Sequence, residues 1–312
     1  MLKYVLKRLG YILVTLWVIV TCTFFMMKNL PGTPFDAERF SIMTPQQQER
    51  VLEMYGLNDS LPMQYVKYIK NMLKGDLGTS FTYVNQDVSK VITGRLGPSA
   101  LIGIQAVLIG LAIGLILGIL AAWKHNSGID YFTMILAVLG VSVPNFVAAA
   151  LLQYYIGLKW GVLPVGFWIG WNCSVLPSIA LSFSATAMVA RFMRTEMLDV
   201  LDQDYIITAR AKGLSQMKVL MRHAVRNSIL PVVTILGPIV VNLMTGSLAV
   251  ENIFSIPGIG SLFVDCIKAN DYPVIMGITI FYAAFYMLIV LLVDLAYSLI
   301  DPRIRLAKGK ES

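Results

Sequence analysis

Leu101-Ile-Gly-Ile-Gln-Ala-Val-Leu-Ile-Gly-Leu-Ala-Ile-Gly-Leu-Ile-Leu-Gly-Ile-Leu-Ala-Ala-Trp123 contains no Asp, Glu, Lys or Arg, and the charge-free run around it extends over 96–123. About 20 apolar residues in a helix cross a hydrocarbon layer of about 30 Å, so this stretch is read as a membrane span. Small residues recur in it at Ala106, Gly110, Gly114, Gly118 and Ala122. At 3.6 residues per turn they wind slowly around one face, and they let another helix backbone approach where lipid supplies no hydrophobic drive. We read the stripe as a packing groove; glycines lining a pathway are the alternative.

Five further spans emerge by the same criterion: 9–27, 131–158, the second half of the charge-free interval 160–190 continuing towards Arg194, 227–250 and 272–293. The first half of 160–190 is broken by Pro164, Gly166, Gly170 and Pro177. Over the whole chain 57% of residues are hydrophobic and 14% charged, against roughly 25% charged in soluble domains. Composition therefore excludes a soluble globule, a disordered chain, a nucleic-acid-binding module and a disulfide scaffold. The class is an all-α integral membrane protein with six transmembrane helices.

The net charge of +7 is explained by where the basic residues fall. With the N-terminus inside, the inner pieces are the tail, the 124–130 turn, the 191–226 segment and the C-terminus. They hold fifteen Lys and Arg, against Lys159 and Lys268 in the short outer pieces. Such a bias places both termini in the cytoplasm, and no nucleic acid is needed to account for the charge. Lys3, Lys7 and Arg8 before an apolar run imitate a secretory signal. The run is long, however, and Asn29-Leu-Pro-Gly32 offers no small-x-small cleavage site, so 1–30 is read as a tail with a retained first helix. The 31–95 segment is an outer element with balanced charge, in which Tyr55, Tyr65, Tyr68, Ile69 and Leu73 are expected to cover one side of helices. A transmembrane domain over 96–303 and a cytoplasmic tail over 304–312 complete the division.

Ion-coupled carriers place ionisable groups at membrane depth, and the charged candidate here is Asp294, near the inner end of the last span. Neutral Gln105, Asn145, Gln153 and Asn242 are the weak candidates for a substrate path, with helix-to-helix hydrogen bonds as the other reading of each; Pro144 beside Asn145 is placed to loosen its helix. No P-loop pattern occurs, and the one Gly-Lys pair is Gly309-Lys310. His125 and His223 fall on different loops, so no metal or cofactor is called for. Cys22 lies in the first span, and pairing of Cys173 with Cys266 is left open. Nothing resembles a hydrolase elbow or a catalytic carboxylate pair, so the chain is not expected to be an enzyme.

The richest hydrophilic stretch follows the fourth span. Asp204-Tyr-Ile-Ile-Thr-Ala-Arg-Ala-Lys212 reads as a short helix with Gly213 as a left-handed cap, and Ser215 is placed to cap a second helix. Met217, Leu220, Met221 and Ala224 would form its apolar face behind Leu214, with Lys218, Arg222 and Arg226 along another. The predicted helix-turn-helix elbow over 204–226 is either a basic lipid anchor or a docking surface for another protein.

Thr208-Ala-Arg-Ala-Lys-Gly-Leu214, then Arg222-His-Ala-Val-Arg-Asn227 and Leu230-Pro231, resemble the "EAA" loop of permease subunits in bacterial binding-protein-dependent ABC importers, specifically the B-type permease of oligopeptide and dipeptide transporters. Gly246-Ser247, Val250-Glu-Asn-Ile-Phe-Ser-Ile-Pro-Gly-Ile-Gly260 and Asp271-Tyr-Pro273 resemble that family's outer connection, and Asp294 through Asp301-Pro-Arg-Ile304 its C-terminus. Leu30-Pro-Gly-Thr-Pro34 also fits. Ile207-Thr208-Ala209 stands where the general loop has Glu-Ala-Ala, a departure typical of the peptide branch. The resemblance implies a type I ABC importer permease fold in a bacterial inner membrane, a second related permease, two cytoplasmic ATPases and an extracytoplasmic binding protein that delivers peptide. It also implies ATPase-coupling roles for Thr208, Ala209, Arg210, Gly213, Leu214, Ser215, Arg222 and His223. Dipeptide, glutathione and nickel-chelate importers share these motifs. A self-sufficient secondary carrier would need an inverted repeat and buried ion ligands, and a membrane scaffold would use the elbow only to hold lipid.

Overall fold

The computed structural model describes residues 2–29, 40, 42–54, 56–83, 85–244 and 247–300. Tyr55, the Leu30–Pro34 motif, Gly246, Asp301–Ile304, the 304–312 tail and the side chain of Asp294 lie outside what is described. Among the described residues the chain is helical, with one isolated antiparallel bridge between Thr79 and Asp87. Five helical stretches among the described residues are long and apolar enough to cross a membrane, and six when the bent pair described below counts as one span.

The chain divides into two compact units. The first comprises Met1–Gly97 and Ile259–Phe285. Helix α1 (Leu2–Lys28) packs Phe24 and Phe25 against Tyr65 of α3 (Leu61–Met72), with the Thr21 and Tyr65 hydroxyls 2.7 Å apart; α2 (Pro45–Met54) precedes α3. Leu73, expected to cover this face, is exposed at the capping position just past the end of α3. Helix α4 (Val88–Trp123) starts eight residues before the predicted 96. The reason is local packing: Val88, Val91 and Ile92, at i, i+3 and i+4, bury against Ile259 and Leu262 of α12 (Ile259–Lys268) and Ile275 and Ile278 of α13 (Tyr272–Ile300). Asp271 ties this unit together, accepting the Ser80 hydroxyl at 2.5 Å and the backbone N–H groups of Phe81 and Thr82.

The second unit comprises Pro98–Gly258 and Tyr286–Ser312. Its core is formed by α4 against α7 (Val175–Leu201), and the small-residue stripe is the contact. A Cβ on Gly110 would stand 2.7 Å from Ala185 Cβ, one on Gly114 2.7 Å from Val189 Cβ, and one on Gly118 2.7 Å from the Ala190 carbonyl. The predicted single span over 131–158 is corrected. It consists of α5 (Gly128–Ser142) and α6 (Asn145–Leu152), extended by a wide helical turn over Gln153–Lys159, and the two arms meet at 100°. Pro144 causes the break. It removes a backbone donor, and its ring pushes Val143 into the extended region at ψ 118°.

A second correction concerns the elbow. Helices α8 (Asp204–Ala211) and α9 (Gln216–Val219) are distinct, but α9 runs through a wide turn at Leu220–Val225 directly into α10 (Arg226–Met244). The second elbow helix is thus the start of the fifth span and not a separate surface helix. Its apolar residues bury continuously with those of α10, through Leu220, Ala224 and Val232. Helix α11 (Leu248–Ile253) follows. Cys22, Cys173 and Cys266 are free thiols.

Candidate functional site

The turn of the elbow is built by Gly213. At φ +76° it takes the left-handed conformation; its N–H reaches the Arg210 carbonyl at 2.9 Å and the Leu214 N–H reaches Ala209 at 3.3 Å. These are the paired bonds of a Schellman cap, and the hydrophobic contact that accompanies such caps is present, with Leu214 packed on Ile206 and Ala209. Ser215 occupies the start of α9 in extended conformation. Its carbonyl receives the Val219 N–H at 3.0 Å, while its hydroxyl makes no cap, so the expected side-chain capping does not form.

Ile206, Ala209 and Val219 bury against Val200 and Leu201 of α7, which seats the elbow on the end of the fourth span. Two polar bonds brace it further. Asn227 Nδ2 donates to the Tyr205 hydroxyl at 3.0 Å, and Ser228 Oγ lies 3.2 Å from the Glu196 carbonyl of α7. The predicted apolar face of the second helix is split. Leu220 and Ala224 turn into the core, while Met217 and Met221 are about half exposed. Tyr205 and Ile207 join them on the outside, and Thr208, Arg210, Lys218, Arg222 and Arg226 are exposed as well, with His223 partly covered. Sequence reasoning missed Tyr205 and Ile207. The signal was available in the i, i+3 spacing of Ile206 and Ala209, which directs residue 207 outwards once those two are buried.

The four polar path candidates take different places. Gln105 Oε1 lies 2.8 Å from the Ser178 hydroxyl, so it joins α4 to α7. Gln153 Nε2 donates to the carbonyls of Val165 and Ile253, both at 2.6 Å, and ties the end of the bent span to the loop after it and to α11. Asn145 is half-buried at the start of α6, directly after the break, and Asn242 is exposed on α10. A cavity of about 390 Å³ opens where α5, α6 and α7 meet, lined by Leu117, Gly140, Val143, Leu151, Phe183 and Thr186 among others. That lining is almost wholly apolar, so it offers no partner for a charged ligand terminus. Among the described residues no three His, Cys, Asp or Glu side chains gather as a metal site would require.

The braced elbow between two spans thus exposes both apolar and basic groups while its underside is buried. Residues 114–306 match the family of binding-protein-dependent transport system inner membrane components, and residues 1–96 match the N-terminal region of such membrane components. The chain belongs to this family of inner membrane transport components. It is therefore a multi-pass permease subunit of an ABC importer, a transport component in kind. Among relatives of the permease, the dipeptide transport system permease protein DppB of Lactococcus lactis is 46% identical over 98% of this chain and all of its own length. DppB of Bacillus subtilis is 43% identical over 99% of each chain, and the oligopeptide transport system permease protein OppB of Salmonella typhimurium is 39% identical over 98% of this chain and all of its own. A solved amino acid ABC transporter structure superposes with a TM-score of 0.51, covering 69% of the permease and 94% of that chain at 19% identity. That likeness concerns the fold.

Proposed function

We propose that the permease forms half of the translocation pathway of an ATP-driven importer of short peptides, with oligopeptides as the leading substrate and dipeptides as the nearest alternative. The observation that carries the substrate class is full-length similarity to permeases named for dipeptide and oligopeptide transport. A second, related permease supplies the other half of the path, two ATPases dock on the cytoplasmic side, and an extracytoplasmic binding protein presents the peptide. Both termini face the cytoplasm, as the basic residues of the inner connections favour.

In this reading the 204–226 elbow is the ATPase-docking surface. Thr208, Arg210, Arg222 and His223 meet the partner beside Met217, Met221 and Ile207, while Ala209, Gly213, Leu214 and Ser215 set the angle at which that face is held. The support for docking over a lipid anchor is the bracing: a Schellman cap, the Asn227–Tyr205 bond and a buried underside fix the direction of the face, and lipid adhesion needs no fixed direction. Closure of the ATPases displaces the elbow and switches the spans attached to it between inward- and outward-open arrangements. The substrate class is tested by uptake of a labelled tripeptide in cells with and without this chain, competed by unlabelled peptides of two to five residues, glutathione or a nickel chelate. Loss of uptake on deletion and competition by peptides alone are expected. Competition confined to glutathione or the nickel chelate would transfer the assignment to those substrates.

A further inference from the structure

Outside the elbow, buried Asp130 and partly exposed Arg194 form a two-point ion pair. Asp130 stands in the first turn of α5 and is 2% exposed. Arg194 Nε donates to its Oδ1 at 2.6 Å and Nη2 to its Oδ2 at 2.8 Å. Oδ2 also accepts the Asn126 backbone N–H at 3.0 Å and lies 3.2 Å from His125 Nδ1, in a turn where Asn126 takes φ 57°. A planar guanidinium on a carboxylate fixes angle as well as distance, which a lysine ammonium does not. The pair thus holds the turn between α4 and α5 against α7, about two helical turns before α7 ends at Leu201.

Packed and hydrogen-bonded connections continue from both partners. Beyond Arg194, Val200 and Leu201 carry the packed underside of the elbow, and Ser228 of α10 reaches the Glu196 carbonyl. Beyond Asp130, α5 leads to the Pro144 bend and α6, whose extension is fastened by Gln153 to Ile253 of α11. The remaining α5–α7 contact includes Gly140 against the Phe183 carbonyl and Ala187, together with the apolar cavity. Apolar contacts of that kind are non-directional, and the ion pair adds to them a contact of fixed angle.

We propose that the Asp130–Arg194 pair is the joint that carries a displacement of the elbow into the bent third span, so that α5 and α7 move as one body during transport. This rests on the reading of the elbow as the ATPase-docking surface and deepens it. Asp130 and Arg194 are positioning residues. The test uses the assembled complex of both permeases and ATPases with its binding protein, the native thiols of this chain replaced by alanine. Spin labels on Ile129→Cys and Thr195→Cys, exposed neighbours of the pair, report the α5–α7 distance by pulsed EPR without nucleotide and with trapped ATP.

The wild-type pair is expected to give one distance in both states. In Asp130→Asn the distance should shift with ATP, and binding-protein-stimulated transport should fall by about fivefold or more while the ATPases still co-purify and hydrolyse at the basal rate. Arg194→Lys, which keeps the charge but not the two-point contact, should behave alike and is the variant read where Asp130→Asn does not accumulate. A distance that already shifts in the wild type, or unchanged distances with normal transport in the variants, overturns the joint. Failure of the ATPases to co-purify with the wild-type chain counts instead against the elbow reading.

Discussion

Gly213 shows how one residue decides the geometry of the elbow. A Cβ there would meet nothing within 4 Å, so crowding is not the constraint; the constraint is φ +76°. An L residue in that region is strained by roughly 1 to 2 kcal/mol, and a β-branched one more. Gly213→Val should leave the chain in the membrane at normal levels, yet sharply reduce substrate-stimulated ATP hydrolysis by the reconstituted complex. Lys218→Gln, which removes one exposed charge, should do much less. A lipid anchor predicts the reverse order, because membrane attraction follows charge at about 1 kcal/mol per basic residue and ignores the angle of a turn. The cap was legible in the sequence because a glycine directly after a helix with basic residues in its last turn serves best as a left-handed stop. The role of Ser215 was not, since a serine at a helix start bonds the backbone only if its rotamer and the N–H groups beside it agree.

At the scale of elements, the glycine stripe and the Pro144 break carry the fold. Gly114→Leu should cost about 1 to 3 kcal/mol, since its Cβ alone would stand 2.7 Å from Val189 Cβ and 2.9 Å from the Thr186 carbonyl. Thermal unfolding of the purified complex should shift downwards, with less folded protein in the membrane; normal levels, melting and transport would mean that α4 and α7 do not pack as described. Periodicity made this contact readable, because small residues every four positions have one packing use in lipid. The early start of α4 was hidden by Lys90 and Arg95, charges that end an apolar run without ending a helix. Pro144 was visible, but its consequence was not: whether a proline kinks a span or breaks it depends on the neighbours that accept the freed groups. The split of Met217 and Met221 from Leu220 and Ala224 was likewise beyond the sequence, because it follows from α9 continuing into α10 and taking its orientation from that span.

For the whole molecule, charge distribution and apolar length specify the class, and the motifs specify the family. What the chain's sequence left illegible is the substrate path. Gln105 and Gln153 bond to Ser178 and to backbone carbonyls within this chain. The inferred topology predicts that a cysteine placed at Ser215 is labelled by an impermeant thiol reagent only from the cytoplasm, and one at Asn58 only from outside; labelling of both from one side would remove the six-span arrangement. A chain that works inside an ATP-driven importer differs from a self-sufficient carrier in its energy source. That difference is tested most directly in proteoliposomes holding both permeases and the ATPases, with binding protein and labelled peptide outside and ATP or a non-hydrolysable analogue inside. Accumulation is expected with ATP alone, abolished by the analogue and by omission of this chain, and indifferent to an imposed proton or sodium gradient. Accumulation by this chain without the ATPases, driven by such a gradient, would contradict ATP-driven import.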